Sequence, residues 1–220
     1  MIATDIERAR FNMAEQQIRP WEVFDERVLR VMQEVPRERF VPHDYRELAF
    51  ADLRIPLGHS EVMMEPKVEA RMLQALEVRP TDHVLEVGTG SGFVTACLAT
   101  LGNSVVSYDI HEAFIESAAD KLARQGINNV HLHLGNPLTL EDLPKEGFDV
   151  VAVTGSMPFY DPALEAVLAD GGRLFQVVGE SPVMHAMRVT RHGDEFVQDY
   201  LFETDLPPLR YIPEPRHFRF

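Results

Sequence analysis

Cysteine is nearly missing from this chain of 220 residues: Cys97 is the single one. No internal disulfide can form, so the fold must rest on its core. Cys97 lies in the apolar run "FVTACLATL", where it reads as a small core residue and not as a nucleophile. Positive charge is also short, with 21 Lys and Arg against 35 Asp and Glu, a formal net charge of −14. A chain this acidic is repelled by a phosphate backbone, which excludes nucleic acid as a main partner. The one basic stretch, "RHFRF" at the C-terminus, reads as a solvated tail. No apolar run approaches the ~18 residues needed to span a bilayer. "MIATDIERARFNM" is amphipathic and acidic, with no apolar signal core, so a cytoplasmic location is expected. No repeat or low-complexity segment is present. No Ser-His-Asp or metal-binding spacing stands out among the nine histidines. The pair in "HLH" at 131–133 reads as two structural side chains on one strand face, so no metal is expected.

What the chain does have is an ordinary globular balance, 45% hydrophobic and 25% charged residues. Its length suits one large domain with a real core. The first third reads as helical. "TDIERARFNMAEQQIR" carries Ile6, Ala9, Phe11, Met13 and Ile18 as a rough stripe that stops before Pro20. "DERVLRVMQEV" carries Val28, Leu29, Val31, Met32 and Val35, and ends at Pro36. In "EPKVEARMLQALEV", Pro66 suits the first turn, and Val68, Met72, Leu73, Leu76 and Val78 form a buried face.

The rhythm then changes to short apolar strands alternating with helices. "HVLEVGTG", "SVVSYDI", "NVHLHLG", "FDVVAVTG" and "GRLFQVVG" read as strands. "SGFVTACLATLG", "HEAFIESAADKLARQG" and "DPALEAVLADG" read as helices. Continuously apolar strands in this alternation imply a parallel sheet covered on both faces. Two further strands around "RHGDE" form a hairpin that closes the sheet at an antiparallel edge. Their order in the sheet stays open. The expectation is an α/β fold with a mostly parallel seven-stranded sheet and an N-terminal helical extension.

The sharpest motif is "VLEVGTGSGFVTACLA", residues 84 to 99, a strand, glycine turn and helix in direct succession. Gly88, Gly90 and Gly92 let the backbone pass close to a ligand where a Cβ would clash. The helix beyond them aims its N-terminal amides at that ligand. The spacing is G-x-G-x-G; a dinucleotide fingerprint needs G-x-G-x-x-G, and Phe93 fills its third glycine position. Asp109 ends the next strand and is placed to accept hydrogen bonds from a ribose diol. Asn136, just past the third strand, suits an adenine edge because it both donates and accepts.

"VLEVGTGSG", "SYDI", "FDVVAVTG" and "LADGGRLFQVVG" together resemble the class I S-adenosylmethionine-dependent methyltransferases, with their Rossmann-like fold. "MAEQQIRP", "DERVLRVMQEVPRERFVP", "LAFADLRIPLGH" and "LPPLRYIP" narrow the resemblance to the protein-L-isoaspartate O-methyltransferases. These blocks run in order from about residue 11 to residue 213. The resemblance implies protein repair: a methyl group passes from S-adenosylmethionine to the free carboxylate of an L-isoaspartyl residue, and the ester collapses to a succinimide that can reopen as aspartate. It implies a cofactor site made by Glu86, Gly88, Thr89, Gly90, Gly92, Asp109, Ile110 and Asn136. Glu86 would sit under the methionine end and Asp109 would hold the ribose. Asn136 replaces the family's usual aspartate beside the adenine, losing a charge but keeping an acceptor.

One loop departs from the family pattern. After "GH" the family has Gln-Thr-Ile-Ser, whose serine hydroxyl approaches the substrate carboxylate. Here "GHSEVMMEP" puts Val62, Met63 and Met64 at the last three of those positions, and both hydroxyls are gone. A thioether donates no hydrogen bond. Ser60 could supply a hydroxyl only from a shifted loop. Three readings follow: an isoaspartyl methyltransferase that dispenses with the serine; a methyltransferase of the same build whose acceptor is a more apolar small molecule, with Met63 and Met64 lining its pocket; or a cofactor-binding regulatory module without turnover. Residues 1–80 are expected to form the helical and substrate-loop region, 81–213 the cofactor-binding core and 214–220 a tail in which Phe218 and Phe220 could cover an apolar pocket, all within one structural domain. The oligomeric state is not legible.

Overall fold

The computed structural model describes residues 3–139 and 147–212. The readings of "RHFRF" and of the 214–220 tail fall outside the described residues. Helix α1 (Ala3–Met13) runs on through a wider turn at Ala14–Ile18 and a tight one at Arg19–Trp21. Pro20 is accommodated in that last turn, so the helical path does not stop before it. Met13, Ala14 and Ile18 are fully buried, but Phe11 is 54% exposed. Residues 6, 10, 13 and 14 lie along one face of a 3.6-residue helix, and position 11 is turned off it. Helix α2 (Glu26–Glu34) is capped by the Asp25 side chain, which accepts from Arg27 N–H. A connector of 3₁₀ turns leads to a small hairpin, β1 (Ile55–Gly58) and β2 (Glu61–Met63). Helix α3 (Pro66–Leu76) follows.

The rest is one sheet with its helices: β3 (His83–Val87), α4 (Phe93–Leu101), β4 (Ser104–Asp109), α5 (Glu112–Arg124), β5 (Val130–Leu134), β6 (Phe148–Met157), β7 (Leu168–Glu180), β8 (Val183–His192) and β9 (Glu195–Thr204). Among the described residues its order is β5-β4-β3-β6-β7-β8-β9. The first five of these are parallel. The last two are antiparallel, as the hairpin reading expects. This is the α/β, Rossmann-like architecture with a mostly parallel seven-stranded sheet and an N-terminal helical extension that the strand pattern implies. The stretch "DPALEAVLADG" differs from expectation. Only Pro162–Val167 coils, as a 3₁₀ turn, and the chain is already in β7 at Leu168, which pairs with Phe148. Gly171 and Gly172 fall within β7, and Gly171 has φ of +75°, outside helical geometry.

One apolar cluster joins α1 to α5 with Val84, Val150, Ala152, Phe175 and Val177. The N-terminal helices are therefore built into the sheet's own core. Leu85, Val87, Val151, Val153 and Leu174 point to the opposite face and pack under the Pro162–Val167 turn. Cys97 is fully buried in the first cluster, and burial pushes its thiol well up. No helix among the described residues is long and apolar enough to cross a membrane. The chain leaves β3 toward β4 on one side and returns to β6 on the other. That reversal opens a crevice at the carboxyl ends of β3 and β6, the place where such sheets bind ligands.

Candidate active site

The glycine turn sits in that crevice. Gly88, Gly90 and Gly92 all have positive φ, +98°, +51° and +81°. The turn is stitched to the end of β4. Gly88 N–H and Thr89 N–H both donate to Tyr108 O, at 2.8 and 3.1 Å. Gly90 N–H donates to Asp109 Oδ2 at 2.8 Å, and His111 N–H donates to Asp109 Oδ1 at 2.9 Å. Each carboxylate oxygen of Asp109 thus accepts one backbone bond and keeps a further lone pair, and Asp109 lines the cleft. Burial pushes the Asp109 carboxyl up, against the two amide bonds that lower it.

Beneath the turn runs a buried relay. Thr89 Oγ1 lies 2.6 Å from Ser107 Oγ. Ser107 Oγ and Thr95 Oγ1 donate to Glu86 Oε2 at 2.6 and 2.5 Å. Glu86 Oε1 is buried without a partner among the described residues. Burial pushes the Glu86 carboxyl up to about 8, from an ordinary 4.5, although both hydroxyl bonds lower it. Between those two values the folded chain holds a proton that the unfolded chain has lost. The stability linked to it is therefore complete below 4.5 and lost as pH rises through about 8. By linkage this amounts to about 3–5 kcal/mol. Glu86→Gln cannot titrate. Urea unfolding of both proteins should show the variant gaining on the wild type by about that amount between about pH 5 and about pH 8. A constant difference across the range would contradict the buried proton.

The cleft beyond the turn has a volume of about 750 Å³, counting the part open to solvent, within the usual range for small-molecule sites. It is lined by Val87, Gly88 and Gly90 of β3 and the turn, and by Asp109 and Ile110 at the end of β4. Asn136 and Leu138 after β5 and Leu57, Val62 and Met64 in and beside the hairpin also line it. Leu206 to Arg210 complete the lining. That last segment is fixed to β6: Ser156 N–H donates to Pro207 O at 3.0 Å, and Leu209 N–H to Ser156 O at 2.9 Å. A smaller recess beside the turn is lined by Met63, Met64, Glu69, Thr89, Ser91 and Val94.

The predicted residues divide. Gly88, Thr89, Gly90, Asp109, Ile110 and Asn136 come together on the walls of the cleft or its recess. Glu86 does not line either. It lies behind the turn, because a strand ending in the sheet centre turns this side chain into the core. Gly92 is also set back, against Ala118 on α5. Asn136 is engaged at both ends, with Oδ1 accepting from Leu138 N–H of its own loop at 3.0 Å and Nδ2 donating to Tyr211 O of the C-terminal segment at 3.1 Å. Ser60 lies at the exposed hairpin tip with φ of +64°, away from both walls, and offers the cleft no hydroxyl. Met63 and Met64 are buried, at 4% and 5% exposure. Both belong to the main core, and the edge of Met64 also faces the cleft.

Sequence reasoning missed several neighbours. His59 stacks on His111 with centroids 4.4 Å apart, and both meet the Phe114 ring edge-on. This aromatic group ties the hairpin tip to the start of α5. Thr154 Oγ1 donates toward Val87 O and Gly88 O, at 3.0 and 2.7 Å. Arg210 Nε donates to Glu61 Oε1 at 2.8 Å. Each lies in or beside a stretch singled out in the sequence, His59 and Glu61 in the hairpin loop and His111 two residues after Asp109, but no local pattern showed that they meet. No cluster of three or more His, Cys, Asp or Glu able to hold a metal exists among the described residues.

Residues 10–214 match the family described as protein-L-isoaspartate(D-aspartate) O-methyltransferase (PCMT). A protein-L-isoaspartate O-methyltransferase of Opitutus terrae is 35% identical over 218 residues, covering 96% of this chain and 90% of the relative. Protein-L-isoaspartate O-methyltransferase 1 of an Anaeromyxobacter species is 39% identical over 192 residues, covering 86% of this chain and 88% of its own length. The fold is shared with a Plasmodium falciparum structure described as such a methyltransferase in complex with S-adenosyl-L-homocysteine. Its TM-score is 0.79 at 19% identity, covering 91% of this chain and 98% of that one.

Proposed function

The chain belongs to the protein-L-isoaspartate(D-aspartate) O-methyltransferase family, and on that premise we propose that it methylates the free carboxylate of L-isoaspartyl residues in damaged proteins. It is an enzyme that uses S-adenosylmethionine. The observation that carries the proposal is the family match over residues 10–214.

The cleft fits the cofactor. The glycine turn offers a surface without side chains, Asp109 has one lone pair per oxygen for a ribose diol, and Ile110 and Leu138 offer flat apolar walls for a base. Glu86, Thr89 and Ser107 hold the turn from behind, and Gly92 starts α4. When bound, S-adenosylmethionine would be held by the glycine turn, Asp109, Ile110 and Leu138, and would supply a methyl carbon made electrophilic by its sulfonium, to which the substrate carboxylate could bond as the sulfur departs as a thioether. No general base is needed, because a carboxylate with a reference pKa near ~4 is already ionised. The protein's work is alignment and exclusion of water. An anion and a cation neutralise each other along this reaction, so the apolar wall of Leu57, Val62 and Met64 does not oppose the transition state. What it costs is desolvation of the incoming carboxylate.

The test is methyl transfer from labelled S-adenosylmethionine to an isoaspartyl peptide and to its aspartyl twin, with cofactor binding by calorimetry alongside. Selective labelling of the isoaspartyl peptide is expected. Tight cofactor binding with no transfer to either peptide would overturn the proposal and point to an apolar acceptor.

A further inference from the structure

We propose that Arg210 receives the substrate carboxylate, in place of the hydroxyls that the hairpin lacks. The inference rests on the isoaspartyl reading above and assigns a residue within the same site.

The carboxylate has few partners here. Val62 and Met64 offer no donor on the hairpin wall, and Ser60 faces away. The chain carries a net charge of −14, and Glu61 and Asp109 stand on the cleft's own walls. An anion entering this cleft meets repulsion and, once desolvated, must be paired. Among the described residues, Arg210 is the only lysine or arginine lining the cleft or its recess. Its backbone is carried by the segment that Ser156 anchors to β6. Its guanidinium is held at the edge of the hairpin by Glu61, the residue before Val62.

The mode of that contact leaves Arg210 available. It is a single bond from Nε, and among the described residues neither Nη group has a hydrogen bond. The side chain is 49% exposed. Two parallel N–H groups on one guanidinium edge match both oxygens of a carboxylate. Glu61 orients the fork and the Nη edge remains to take an anion.

The competing role is a latch, in which the Arg210–Glu61 pair only holds the hairpin closed. A latch acts on everything in the cleft; a carboxylate receptor acts on the peptide alone. The experiment compares wild type, R210Q and R210K. Peptide KM is read at saturating S-adenosylmethionine, cofactor affinity by calorimetry, and isoaspartyl peptide binding to the protein loaded with S-adenosylhomocysteine. R210Q should raise peptide KM and weaken peptide binding about ten- to a hundredfold, the worth of a charge-assisted hydrogen bond. R210K should recover part of the loss, since it keeps the charge but not the fork. Cofactor affinity should stay within about twofold in both variants, far from the tenfold that 1.4 kcal/mol represents, which also shows that they are folded. An unchanged peptide KM in R210Q would overturn the assignment, as would equal loss of peptide and cofactor binding. A wild type that binds cofactor but ignores the isoaspartyl peptide would overturn the functional reading itself, and this assignment with it.

Discussion

Gly88→Ala is expected to reduce S-adenosylmethionine affinity at least about a hundredfold and to destabilise the fold by about 2–4 kcal/mol. The reason is local and steric. Gly88 has φ of +98°, a conformation that L side chains rarely adopt. A Cβ there would be driven into Thr154 Oγ1 and would touch Leu209 at 3.8 Å. Thr154 cannot rotate away cheaply, because its hydroxyl bonds Val87 O and Gly88 O. The turn would have to move, carrying the Gly90 amide off Asp109 and narrowing the base of the cleft. Gly126→Ala is the control. Gly126 also has positive φ, +72°, but nothing lies within 4 Å of its would-be Cβ. Its cost should be about 1 kcal/mol, with cofactor binding unchanged. Calorimetric affinities and thermal midpoints for the two variants check both halves. Equal effects would mean that backbone strain, and not the approach of Thr154, governs this turn.

Arg37→Met should be the most destabilising single change in the N-terminal half, at about 3–5 kcal/mol. Arg37 is completely buried. Its Nε donates to Ala49 O and one Nη to Met64 O, both at 2.9 Å. The other Nη pairs with Glu69. Removing Arg37 leaves the Glu69 charge in the core and two carbonyls without donors. Burial already pushes the Glu69 carboxyl up, and Arg37 is the group that pulls it down. Without Arg37 the carboxyl rises further, so the penalty should shrink as pH falls and Glu69 takes up a proton. The double variant Arg37→Met, Glu69→Leu should recover much of the loss, leaving about 1–3 kcal/mol for the stranded carbonyls. Denaturant titrations at two pH values measure all three terms. A double variant no better than the single one would show that the carbonyl bonds, not the ion pair, are the main term.

This buried pair also answers for the two methionines. Met63 and Met64 read as soft residues at the lip of a site, and the structure places them in the core with one edge on the cleft. Arg37 also holds the backbone of Met64, one Nη donating to Met64 O at 2.9 Å. Met63 and Met64 pack in the core, whereas Val62 is half-buried and lines the cleft.

The glycine turn, Asp109, Ile110 and the strand-helix alternation were readable along the chain. Each depends on neighbours within one β-α-β unit, and a period of two or 3.6 leaves its mark on composition. Thr154, Leu206 and Arg210 lie in stretches that were legible, but nothing local showed that they meet at the cleft. The Glu61–Arg210 bond joins residues 149 positions apart, and no local pattern encodes such a meeting. Glu86 shows the same limit in reverse, since its type and place were legible but not that it faces the core relay. The amino-acid sequence by itself determined the fold class, the family and the ligand-facing turn, because backbone freedom at glycine and hydrophobic periodicity act over a few residues. Only the tertiary structure decided which distant side chains share the cleft, because the sheet's reversal at β3 and β6 brings the hairpin and the C-terminal segment to one edge.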